Sequence, residues 1–186
     1  MKRLAAFVVL ALALAWVGTA MADVQNAGTA DVFVTVDPNV AVRPLVPYVN
    51  MGTIQTGIFQ GFIPWRIDAN TQNVKFWGGA SYLYKGDDPT NTTVPPIMLD
   101  LTSGIVFTIA HGGPIGGEDT KLIYLNPVDI DGFPGMGTET TEYESSDPGH
   151  MSQDCMMAVK WNQADAERPM GEYSGKVRLS AMVVVF

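Results

Sequence analysis

The stretch GEYSGKVRLSAMVVVF, Gly171 to Phe186, alternates. Odd positions hold Tyr173, Val177, Leu179, Ala181, Val183 and Val185, while even positions hold Ser174, Lys176, Arg178 and Ser180 and turn apolar only at Met182, Val184 and Phe186. Side chains of a β-strand change face at every residue, so a period of two marks a strand with one buried face. Such a strand is stable only beside neighbours. The fold therefore turns on which strand lies next to it.

The same period recurs along the chain. It is seen in DVFVTV (Asp31 to Val36), IFQGFIPWRID (Ile58 to Asp68), NVKFWGG and ASYLYKG (Asn73 to Gly86), IMLD, GIVFTIA, KLIYL and DCMMAVKW. In IFQGFIPWRID the inward set is Phe59, Ile63, Trp65 and Ile67; in DCMMAVKW it is Cys155, Met157, Val159 and Trp161. No window keeps a helical period over three turns. Short strands separated by Gly, Pro, Asn and Asp predict an all-β fold, an antiparallel β-sandwich or barrel. Pro64 has no N–H for a ladder, which places it at an edge or a bulge. HGGPIGGEDT (His111 to Thr120) reads as a flexible glycine-rich loop, and Phe133 to Gln153 as an irregular acidic stretch with one exposed strand at Thr138 to Tyr143.

The chain has 186 residues. Lys2 and Arg3, the apolar run Leu4 to Val17 and the small residues around Ala20-Met21-Ala22 form a signal-peptide pattern over residues 1–22, with Asp23 as the expected mature N-terminus. The run is short for a bilayer span, and no later segment is longer, so no membrane insertion is expected. Without Lys2 and Arg3, nine basic residues face 19 acidic ones, a net charge of −10. That balance disfavours nucleic acid and anionic lipid as partners. Cys155 is the single cysteine, so an exported chain must hold together by packing, with the thiol read as a buried small hydrophobe.

Chemistry-bearing patterns are sparse. His111 and His150 lie far apart in Gly/Pro-rich segments and do not make a metal site. DIDG (Asp129 to Gly132) lacks the remaining ligands of a calcium loop and reads as an acidic turn. HGGPIGG lacks the Lys-Ser/Thr of a phosphate-binding loop, and no Ser or Cys stands in a nucleophile setting. Asn91-Thr92-Thr93 is a glycosylation sequon, relevant only in a host that modifies such sites. Trp65, Phe76, Trp77, Tyr82 and Tyr84 fit core and cross-strand pairs better than a sugar-binding face. No catalytic residue, metal or cofactor is expected, and the chain does not read as an enzyme.

A second clear alternation, DVQNAGTADVFVTVDPNVAV (Asp23 to Val42), follows the leader. Its apolar edge runs through Ala30, Val32, Val34 and Val36, and it has no hairpin partner because the next segment is broken by Pro44 and Pro47. VTVDPNVAV together with GEYSGKVRLSAMVVVF resembles the pilin subunits of the alternate (class 5) chaperone–usher fimbriae, the colonization-factor type. IPWRIDANTQNVKF (Ile63 to Phe76) looks like that family's strand–turn–strand segment. The central region, from about Asp87 to Asp154, and the very apolar MVVVF ending depart from the pattern.

The resemblance implies an immunoglobulin-like antiparallel β-sandwich that is one strand short and is completed by donor-strand exchange. It divides the chain into a leader (1–22), an N-terminal extension (23–40) and a pilin-like domain (41–186). Ala30, Val32, Val34 and Val36 would form the donor strand, and Tyr173, Val177, Leu179, Ala181 and Val183 would line the groove along the C-terminal strand. The implied partners are other pilin subunits in a homopolymer, a periplasmic chaperone and an outer-membrane usher, with room for a host-surface receptor. The chain would pass through the periplasm to a surface fimbria. The alternative is a monomeric secreted β-sandwich that binds a carbohydrate or surface ligand, with Asp23 to Val42 folded as its own first strand.

Overall fold

A computed structural model describes residues 31–117 and 120–184. The chain divides between Val36 and Asp37, and the sandwich is the unit from Asp37 onward. Its strands are β1 (Val40–Pro44), β2 (Gly57–Ala69), β3 (Asn73–Ser81), β4 (Tyr84–Lys85), β5 (Met98–Leu99), β6 (Ile105–Ile109) and β7 (Gly112–Pro114). There follow β8 (Lys121–Leu122), β9 (Tyr124–Ile130), β10 (Phe133–Thr138), β11 (Thr141–Ser145), β12 (Met151–Gln163), β13 (Tyr173–Ser174) and β14 (Val177–Val183).

The strands form an all-β sandwich of antiparallel sheets. The first sheet runs β1-β2-β12-β6-β8, with β5 also on β12; the second runs β7-β11-β3-β10-β9, with β14 on β3; β13 and β4 make a small third pair. β2 and β12 pair along their whole length, from Gly57↔Gln163 to Ala69↔Met151. Both strands alternate as the sequence predicts: Trp65 and Ile67 on β2, and Cys155, Met157, Val159 and Trp161 on β12, are buried, while Phe59 and Ile63 are half-buried.

The two sheets meet on an aromatic centre. Phe76, Phe107 and Tyr143 pack with ring centroids 4.8–5.4 Å apart, and the buried Tyr143 hydroxyl donates to the Phe107 carbonyl at 2.9 Å. Trp161 donates its indole N–H to the Ser81 carbonyl at 2.9 Å, tying the first sheet to the second. A buried indole or phenol contributes most when its polar end finds a partner, and these two do. Of the aromatic cluster, Trp65, Phe76 and Tyr84 are buried, Trp77 and Tyr82 half-buried.

Five details differ from the sequence reading. Asp31 to Val36 take no strand; Val32, Val34 and Val36 are largely exposed. Alternation fixes which faces a strand would have, but not that a neighbour exists for it. The exposed strand expected at Thr138 to Tyr143 is instead the end of β10 and a central strand, β11, in which Thr141, Tyr143 and Ser145 are buried and the glutamates point out. Part of HGGPIGG is a short strand, β7, on the edge of β11. KLIYL is split between β8 in the first sheet and β9 in the second. The terminal alternation is two strands, β13 on β4 and β14 on β3. The break falls at Gly175, where a Cβ would press on the Ser81 hydroxyl and the Tyr82 carbonyl, so the chain can cross there only as glycine.

Candidate functional site: an open sheet edge and the cavity beside it

Among the described residues β14 is hydrogen-bonded on one side only, to β3, while β1 comes within 8 Å of it without pairing. Its register on β3 runs from Val177↔Ala80 to Val183↔Val74. Just beyond the two ends, the Ser81 N–H donates to the Lys176 carbonyl at 2.9 Å and the Val184 N–H to the Asn73 carbonyl at 3.3 Å. In an antiparallel ladder, backbone groups face alternate sides. Even residues of β14 thus bond β3, and the N–H and C=O groups of Val177, Leu179, Ala181 and Val183 face away from it. Among the described residues no strand pairs with that side. β11 and β10 both lie across β3 from β14, along its first and last parts respectively. The sheet therefore ends at β14.

The facing edge of the first sheet is stepped. β1 covers β2 only from Trp65 to Ala69. The Pro64 carbonyl accepts from the Leu45 N–H at 2.9 Å, which shows that even residues of this strand face the β1 side. Pro64 therefore costs no ladder bond to β12, and its edge placement needs no bulge, since the register past Met156↔Pro64 is unbroken. By the same parity, the backbone of Ile58, Gln60 and Phe62 faces the side that β1 does not reach.

Where β1 stops, a cavity of about 910 Å³ opens. Phe59, Gly61, Ile63 and Trp65 of β2 line it, with Leu83, Ile97 and Trp161 behind them, residues 46–54 on one wall and Arg168 to Val177 on another. Phe59 stacks on Trp161 with centroids 6.1 Å apart and planes 18° from parallel. Among the described residues the indole N–H of Trp65 is buried without a hydrogen-bond partner, an unusual cost. The rim is tied down by Arg168, whose Nε donates to Gln163 Oε1 at 2.5 Å, whose Nη1 donates to the Pro95 carbonyl and whose guanidinium lies 5.8 Å from the Tyr173 ring centre. Tyr173 donates its hydroxyl to the Pro169 carbonyl at 2.9 Å, and Ser174 donates to Asp87 Oδ1 at 2.7 Å. These bonds give the GEYSG segment its fixed course.

Of the residues named for the groove, Tyr173 and Val177 line the cavity. Leu179 is buried in the core, Ala181 is packed against it, and Val183 continues the inward face of β14, all three beyond the cavity. Tyr173 sits on β13 rather than on the terminal strand, a correction to the sequence reading. Of the named donor residues, Ala30 lies outside the described residues, and Val32, Val34 and Val36 are 90%, 87% and 73% exposed. The segment leading from them into β1 is held by one side chain. Asn70 Nδ2 donates to the Asp37 carbonyl at 2.9 Å, and Asn70 Oδ1 accepts from the Asn39 N–H at 2.6 Å, bridging Pro38.

The cavity wall at residues 46–54 and the role of Arg168 were not read from the sequence. A signal was present in LVPYVNMGTI, where apolar residues recur without either strand or helix period. DIDG is a turn as read: Asp131 and Gly132 both take positive φ (53° and 87°), the pattern of a two-residue hairpin. Among the described residues, no three His, Cys, Asp or Glu side chains come together as a metal site. No protein-family model matches the sequence, and no curated protein matches it either.

Proposed function

We propose that this chain is the structural subunit of a surface fimbria that polymerises by donor-strand complementation, residues 30–36 of one copy completing the sandwich of the next. The observation that carries the proposal is the unpaired side of β14, next to a cavity, in a chain that also holds an exposed valine-rich segment. Unpaired ladder groups beside an exposed core face invite a further strand. Val32, Val34 and Val36 would each gain roughly 1.5–2 kcal/mol on burial, and ladder bonds to Val177, Leu179, Ala181 and Val183 would add to that. The sum approaches the stability of a small domain. Each copy would give one segment and take one, a heterologous contact that does not close and so grows as a filament. A chaperone and an usher would cap and pass on the open edge during export, and the assembled fimbria would support adhesion.

The test is assembly of the chain beginning at Asp23. Wild type should form filaments visible by electron microscopy and multimers that survive unheated detergent. Val34→Asp, which places a charge in the middle of the donor face, should leave a folded monomer. Undiminished filaments from that variant would rule out the donor role. A second reading, a monomeric secreted binding module, takes the cavity itself as the ligand site, and its volume falls in the range of small-molecule pockets. It predicts a wild-type monomer that Val34→Asp does not change.

A further inference from the structure

One wall of the cavity is made by no strand. Residues 45–56 join β1 to β2 with no regular structure, about twice the usual length of a connection in a compact domain. Among the described residues the strap makes one backbone–backbone bond, the Leu45 N–H donating to the Pro64 carbonyl, and one local cap, in which the Gly52 N–H donates to Asn50 Oδ1 at 2.8 Å. It is nevertheless apolar. Tyr48 is 79% exposed, while Met51 and Ile54 pack against the core. Met51 packs closely on β2: a Cβ placed on Gly61 would lie 3.0 Å from the Met51 sulfur and 3.2 Å from the Trp161 ring. The glycine makes room for the methionine.

Such a cover is held by side chains and not by a ladder. Among the described residues it leaves the β2 edge at Ile58, Gln60 and Phe62 without backbone partners, and a large open cavity lies beneath it. Methionine is unbranched and fills irregular space, but ordering it costs much rotamer freedom, which is regained on release and suits a group that has to leave. Valines are stiff at χ1 and, on an incoming strand, would arrive with backbone bonds that the strap does not make.

We propose that residues 45–56 are a provisional cover for the acceptor cavity, in which Met51 and Ile54 hold core positions until the valine-rich segment of a second copy displaces them. The inference rests on the donor-strand reading above and adds a regulatory step to it: the cover shields the apolar side chains of β2 in the cavity before assembly, and its release sets the rate of capture.

The experiment uses the chain from Asp23 onward carrying Val34→Asp, so that its own donor is disabled, and a fluorescent peptide of residues 23–40 as probe. Met51→Cys with Gly61→Cys ties the cover shut when oxidised. Capture of the peptide should fall at least about tenfold on oxidation and return on reduction. Cys155 is buried and does not interfere. Equal capture in both states would overturn the cover while leaving strand donation intact. Should the cysteine pair not fold, Met51→Ala with Ile54→Ala decides: capture about tenfold faster supports the cover, and an unchanged rate overturns it. No capture by the Val34→Asp chain itself would overturn the donor-strand reading, and the cover with it.

Discussion

Cys155 lies at 5% exposure on the inner face of β12, with its thiol 3.7 Å from the Trp65 carbonyl. Burial, with Asp154 adding a like charge, pushes the thiol pKa up to about 12. A folded chain thus keeps this proton between roughly pH 9 and 12, where an unfolded chain loses it. The thiol's contribution to stability is complete below pH 9 and is lost as pH rises through that window. Iodoacetamide at pH 8 should leave the native chain unlabelled and modify it fully in urea; rapid labelling of native protein would show the packing around Cys155 to be wrong. This residue was legible because it shares a strict alternation with Met157, Val159 and Trp161. Tyr143 was not. It sits between Glu142 and Glu144, and local polarity hid a side chain that is fully buried and bonded across the sandwich.

At the scale of elements, β14 carries its own test. If odd residues face an open side and even ones bond β3, amide exchange should alternate along the strand. Amides of Arg178, Ser180 and Met182 should be protected in the monomer, and those of Leu179, Ala181 and Val183 should exchange at least about tenfold faster. Capture of a peptide spanning residues 23–40 should erase the alternation by protecting the odd set. Uniform protection in the lone monomer would mean that β14 already has a second neighbour. The long strands β2, β12 and β14 were legible because burial on one face imposes a period of two over many residues. The break before β14 was not, because Gly175 interrupts the ladder through a close approach to Ser81 and Tyr82, a contact distant in sequence. β7 and β8, three and two residues long, are too short to hold a period at all.

For the whole molecule, a sandwich one strand short, as proposed, would carry a deficit in stability that a ligand strand can make good. Peptide 23–40 at a hundred times its Kd should add about 2.7 kcal/mol. For a domain of this size that is a rise in Tm of roughly 5–10 °C. An unmoved Tm at saturating peptide would argue for a self-sufficient sandwich. The architecture as a class could be read from recurrent short strands and turns, because each layer needs only one apolar face per strand. The cavity could not, because it depends on β1 covering only the last five residues of β2, a matter of where two sheets happen to stop.

The Asn70 bridge has a mechanical consequence. If neighbours in a filament are joined through residues 30–36, every pull along it enters a domain at Asp37, meets the two side-chain bonds across Pro38, and then runs down β1. β1 is laced to β2 over five residue pairs, and β2 to β12 over thirteen, so tension would be borne as shear across whole ladders instead of unzipping them one bond at a time. Removing the Asn70 amide would shift the first strain onto Val40 at the end of that lacing, where an antiparallel pair is easiest to peel.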